Sequence, residues 1–194
     1  MRHRIATLTS NTLNPFLVSL TAILILTFES TSGVADALKW SLILAAISVL
    51  PVLTIVVYLV KKGWLDSVLT ASRRQRTVIY LLSILCAAVG YLILHYSRAP
   101  LTLEAAFAGG LFGAVLFTGI NLVWKISLHA AFIAALATIL IIFYGWIAAT
   151  AIMLVLMVAW ARLTLRLHSP AQVAAGTLLA SIIVVVVFSL FGVP

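Results

Sequence analysis

Residues 40–60 read Trp-Ser-Leu-Ile-Leu-Ala-Ala-Ile-Ser-Val-Leu-Pro-Val-Leu-Thr-Ile-Val-Val-Tyr-Leu-Val, and this stretch decides the fold class. It holds no charge, is bounded by Lys39 and by Lys61-Lys62, and as a helix would span the roughly 30 Å hydrocarbon core of a bilayer. Pro51 predicts a kink, which lipid tolerates where neighbours satisfy the freed carbonyl. Working outward, similar apolar runs occupy 15–28, 78–96, 105–124, 130–144, 146–161 and 173–193. The break at Tyr144-Gly145-Trp146 requires a tight hairpin around one glycine. The expectation is an all-α integral membrane protein, a compact bundle of six or seven transmembrane helices forming one domain over residues 1–194.

Composition agrees. The chain is 64% hydrophobic and 8% charged, against about 25% charged in soluble domains. No soluble fold covers so much apolar side chain. The formal charge of +8 lies in short loops rather than a basic domain, so nucleic acid is excluded in favour of topology, anionic headgroups or a phosphate-bearing substrate. Cys86 stands alone inside an apolar run, which leaves no disulfide framework and no cysteine metal site.

Arg2 and Arg4, an apolar run and Ala35-Asp36-Ala37 resemble a signal peptide with its cleavage site. The polar stretch 29–36 is long for that purpose, so residues 1–38 are expected to form a retained, signal-anchor-like helix. Cleavage would leave six crossings. Alternating the loops puts Arg2, Arg4, Lys61, Lys62, Arg73, Arg74, Arg76, Lys125, Arg162 and Arg166 on one side, ten of the twelve basic residues. Lys39 and Arg98 fall opposite, with Glu29, Asp36 and Glu104. The positive-inside rule makes the basic side cytoplasmic in a multi-pass cell-membrane protein. Setting aside cations that could serve a phosphate leaves the sign unchanged.

Three stretches on the basic side could carry chemistry, since polar groups at membrane depth are costly unless paired or wet. Residues 66–76 form the longest loop there, with Arg73, Arg74 and Arg76; taken by itself it reads first as a positive-inside anchor. In Lys125-Ile126-Ser127-Leu128-His129, a cation, a hydroxyl and an imidazole beside a helix start make a compact anion site. A capped turn, with Ser127 as N-cap and Lys125 reaching to the interface, is the alternative. Residues 162–172 hold Arg162, His168 and Gln172. If a helix starts near Ser169-Pro170, His168 and Gln172 share a face and the amide can accept the imidazole Nδ1–H. Gly176 would admit a neighbouring helix. Otherwise this is an interfacial loop with an incidental histidine.

The second and third stretches resemble signatures of the type 2 phosphatidic acid phosphatase superfamily, P-S-G-H and S-R-x5-H-x3-D. Ser127-Leu128-His129 is similar to the S-x-H core, and Arg162 with His168 to R-x5-H. Ala161 stands where the family has serine and Gln172 where it has aspartate. The first signature, K-x6-R-P, is echoed by the arginines of 73–76 without its lysine or proline. The resemblance covers residues 66–176, so residues 61–176 would form the catalytic core.

The resemblance implies that His168 is the nucleophile of a phosphohistidine route and His129 the general acid. Arg162, Ser127, Leu128, Lys125, Arg73 and Arg76 would hold phosphate oxygens, with Gln172 orienting His168. No cofactor or metal is implied, because fixed cations supply the charge. The substrate would be a lipid phosphate or diphosphate of polyprenyl or glycerolipid type, with membrane lipids as the other partners. The rival expectation is a non-catalytic small transporter or anionic-lipid-binding membrane protein. His95 reads as interfacial, and Gly109 with Gly113 as a helix-packing seam.

Overall fold

A computed structural model describes residues 1–68 and 72–193, with Arg73 described in its backbone alone. The described residues are helical and contain no strand. The helices are α1 (Arg2–Thr12), α2 (Pro15–Ser30), α3 (Val34–Leu44), α4 (Leu50–Lys61), α5 (Arg73–Tyr96), α6 (Leu101–Val123), α7 (Leu128–Tyr144), α8 (Ile152–Thr164) and α9 (Pro170–Leu190). A π-helical turn, Ala45–Val49, joins α3 to α4, and a 3-10 segment, Gly145–Ala151, joins α7 to α8. Five helical segments are long and apolar enough to cross a membrane, or six when the bent pair α1–α2 counts as one.

Local chemistry sets most boundaries. Asn14 ends α1 and starts α2: its Oδ1 accepts from the N–H groups of Phe16 at 2.9 Å and Leu17 at 3.1 Å, with Pro15 as the first helical residue. The two helices meet at 46°. Arg2 and Arg4 lie within α1, because nothing before Asn14 interrupts the turn. Pro51 cannot donate to the carbonyl four residues back; the π turn immediately before it widens the helix, with Leu50 N–H bonding Ala45 O. Gly145 has φ +63° and ψ −146°, a conformation nearly restricted to glycine, and it turns the chain between runs 130–144 and 146–161. The segment Leu128–Thr164 passes as one apolar span by length, yet α8 packs back on α7, so it is a folded hairpin.

Contacts divide the chain into two compact units: residues 1–22 with 125–192, and residues 23–124 with Val193. In the second unit, α5 and α6 form a hairpin. Asn121 Nδ2 donates to Thr77 Oγ1 at 3.2 Å, and the Phe107 ring packs where Gly90 has no Cβ. Thr27 and Ser41 share a hydroxyl–hydroxyl bond of 2.7 Å between α2 and α3. Gly113 of the expected seam is buried.

In the first unit α7 is the centre, apolar on all sides, with eight of its seventeen residues buried. It runs parallel to α9: Ser127 meets Gln172, Thr138 Oγ1 donates to Ser181 Oγ at 3.0 Å, and Phe143 stacks edge-on against Phe188. Along α9, Ala180, Ile183, Val184 and Val187 are buried, at the spacing of one helical stripe. On α8 lies α1, with Ala6, Thr9 and Ser10 buried along one face.

Candidate functional site

Each of the three stretches singled out in the sequence is a helix N-terminus capped by serine. Ser72 accepts from Gln75 N–H at the start of α5, Ser127 from Ala130 N–H at the start of α7, and Ser169 from Gln172 N–H at the start of α9. Ser169-Pro170-Ala171-Gln172 is a full capping box: Gln172 Oε1 returns to the Ser169 N–H at 3.2 Å. The helix therefore begins where the sequence predicts.

The first unit collects Lys125, Ser127, Leu128, His129, Arg162, His168 and Gln172. Backbone bonds hold the α7 and α9 starts together. Ser127 N–H donates to Gln172 O at 3.3 Å, and a Cβ on Gly176 would stand 2.6 Å from Ser127 O, so only glycine permits this approach. Lys125 Nζ crosses to donate to Leu167 O at 2.9 Å, tying the residue before His168 to the α7 junction. Leu128 opens α7, where backbone N–H groups point out of the helix end.

Arg162 and His168 are set by how α8 ends. Leu167 N–H bonds Arg162 O at 3.1 Å and Arg166 N–H bonds Leu163 O at 3.0 Å, the Schellman pattern. Arg166 takes the left-handed conformation, φ +52°, that glycine usually supplies. The chain then reverses within five residues to start α9.

Electrostatically the first unit is one-sided. Its formal charges are Arg2, Arg4, Lys125, Arg162 and Arg166, and it contains no aspartate or glutamate. Arg162, His129 and His168 are 5%, 6% and 7% exposed, and Ser127 is fully buried. Keeping a guanidinium there costs several kcal/mol unless it is well bonded. One of its bonds is to a residue that sequence reasoning missed: Arg162 Nη1 donates to Ser10 Oγ of α1 at 2.8 Å, both side chains buried. The signal available was slight, a stripe of small residues at Ala6, Thr9 and Ser10 in a helix that also carries Ile5 and Leu8.

His168 Nδ1 lies 3.1 Å from Gln172 Oε1. That oxygen also takes the Ser169 N–H, an obligatory donor, so it is an acceptor and His168 must donate from Nδ1. In the neutral ring the lone pair is then on Nε2, an atom enclosed from solvent, as is Nε2 of His129.

Arg73 and Arg76 belong to the other unit. Arg76 is buried and interacts with the Tyr80 hydroxyl one turn on. Residues 69–71 and the Arg73 side chain lie outside the described residues. His95, exposed at the far end of α5, meets Glu104 at 3.3 Å. Among the described residues no cluster of three metal-ligating side chains occurs. A cleft of about 570 Å³ lies at the hairpin end of α7, lined by Leu140, Tyr144, Ile147, Thr150 and Leu154. It is apolar and about 20 Å along the helix from Ser127, so it is not part of this constellation. Compared with known proteins, the chain matches no family model, no curated protein and no solved structure.

Proposed function

We propose that the chain is an integral membrane phosphatase that hydrolyses a lipid phosphate or diphosphate through a phosphohistidine. The membrane part of this reading is supported by exposed aliphatic side chains in mid-helix, among them Leu85, Leu156 and Leu178, which water would penalise and lipid would not. Trp64, Tyr96 and Trp146, 75%, 82% and 85% exposed, stand at or next to helix ends, where aromatic residues mark membrane interfaces. The basic stretches would face the cytoplasm.

One observation carries the chemistry: the Gln172 oxygen, committed to the Ser169 N–H, fixes His168 with its proton on Nδ1. The Nε2 lone pair is the nucleophile such a reaction needs. Nε2 attacks phosphorus and the P–O bond to the lipid breaks, while His129 gives a proton to the departing oxygen. Water then attacks the phosphohistidine, returning a proton to His129, and releases phosphate with His168 restored. Arg162, Lys125, the Ser127 hydroxyl and the α7 N-terminus, with its Leu128 N–H, would balance the charge on the phosphoryl oxygens. Arg73 and Arg76 enter only through the resemblance to type 2 phosphatidic acid phosphatases. Purified protein in lipid nanodiscs should release phosphate from phosphatidate or a polyprenyl diphosphate in chelator. His168→Ala and His129→Ala should each reduce this by about 10³-fold or more; full activity in both variants would refute the reading.

A second reading has its own observation. Ser127, Gln172 and Lys125 all have structural work, as caps and as a clamp on Leu167. A protein that binds anionic lipid without turnover would need no more. Its binding would follow salt and net charge, indifferent to which histidine is replaced.

A further inference from the structure

Among the contacts of the constellation, the one to α1 stands apart, because it brings in a segment 152 positions away in sequence. Arg162 Nη1 donates to Ser10 Oγ at 2.8 Å, and Ser10 is 3% exposed. A hydroxyl has one proton to give and two lone pairs to accept with. Most other hydroxyl side chains of the first two helices, at Thr7, Thr12, Ser19, Thr21, Thr27 and Ser30, donate to a carbonyl three or four residues back. Ser10 makes no such bond: among the described residues its oxygen accepts from Arg162 and its proton has no acceptor. A buried hydroxyl in that state awaits an acceptor, and the unit around it carries only positive formal charge.

We propose that Ser10 is a phosphate-positioning residue, its oxygen held by Arg162 Nη1 and its proton donated to an oxygen of the phosphate group that Arg162 binds. The inference rests on the phosphatase reading and extends it to the N-terminal helix. Ala6 and Thr9 dock α1 on α8 along the same face, so the helix delivers the hydroxyl on a rigid element. An Arg–Ser pair of this kind offers an anion two directed donors, and one of them is lost if serine becomes alanine. The proposal places α1 in the substrate site instead of assigning it to anchoring alone.

The test uses full-length protein in nanodiscs, with phosphatidate as substrate and inorganic phosphate as competitive inhibitor. Ser10→Ala should weaken phosphate inhibition and lower kcat/KM by about tenfold, the worth of one charge-linked hydrogen bond. Its thermal unfolding midpoint should fall by only about 2–4 °C, since a single bond to the buried Arg162 is removed. Ser10→Thr, which keeps the hydroxyl, should recover most of the loss. Unchanged or tighter phosphate inhibition in Ser10→Ala would overturn the proposal, the latter by making Ser10 a place-holder that phosphate displaces. Equal losses in the alanine and threonine variants would also overturn it, as a packing effect. Arg162→Ala and His168→Ala separate the two levels. If wild type releases no phosphate, the phosphatase reading fails and Ser10 fails with it. If wild type is active, both of these variants are dead and Ser10→Ala is normal, only the role of Ser10 falls.

Discussion

His168 Nδ1 and Gln172 Oε1 lie 3.1 Å apart, and the same oxygen caps the Ser169 N–H. One amide thus closes the α9 N-terminus and sets the tautomer of the histidine just outside it. Where a carboxylate would add charge to the imidazole, the amide supplies orientation only.

That relationship can be tested by changing the charge while keeping the shape. Gln172→Glu retains the capping box, since glutamate is an equally good partner at that position. Thermal stability should hold, while turnover rises about fivefold because a charged acceptor binds the imidazolium side of the reaction more strongly. Gln172→Ala should lose about 1 kcal/mol of stability from the cap and most of its activity. Phosphate release and thermal unfolding measured side by side would separate the two effects.

Gly176 offers a purely steric test. A Cβ there would press on the Ser127 carbonyl at 2.6 Å, and backbone cannot swing aside as a side-chain end can. Gly176→Ala should destabilise the protein by about 1–3 kcal/mol. Gly110→Ala, with nothing within 4 Å, should be neutral or stabilising by about 0.5–1 kcal/mol. Equal unfolding midpoints for the two variants would contradict the packing described for α7 and α9.

At the end of α8, the left-handed backbone of Arg166, φ +52°, is strained for a residue with a Cβ. Arg166→Gly should raise stability by about 0.5–1 kcal/mol and leave phosphate release intact. A loss of activity would assign the Arg166 side chain a part in substrate binding.

Lys125 makes a different kind of contact, a charged donor on the Leu167 carbonyl at 2.9 Å. Lys125→Met keeps the aliphatic stem and removes the donor. Faster amide exchange over residues 165–168 and a fall in kcat are expected, because the loop holding His168 is released. A rise in KM beside these changes is the mark of its contact with the substrate phosphate; unchanged kcat and exchange would show that the Leu167 contact does not hold the His168 loop.

Composition and apolar run length by themselves determined that the chain is helical and where its helices lie, because helix formation in so apolar a chain follows from local propensity and from the obligation to satisfy backbone hydrogen bonds internally. Each of the seven runs became a helix or a helix pair, and the Ser169-Pro170 start, the His168–Gln172 spacing and the glycine at the α7–α9 crossing were all legible in a few residues. Other features were not. The helix through Arg2 and Arg4 follows from the Asn14-Pro15 cap, a signal that apolar run-counting passes over. Lys125 on Leu167 and Ser10 on Arg162 are bonds across 42 and 152 positions, and a local pattern carries no information about which distant hydroxyl or carbonyl will meet a cation. Those partners depend on how α1, α7, α8 and α9 pack, and only the tertiary structure decided them.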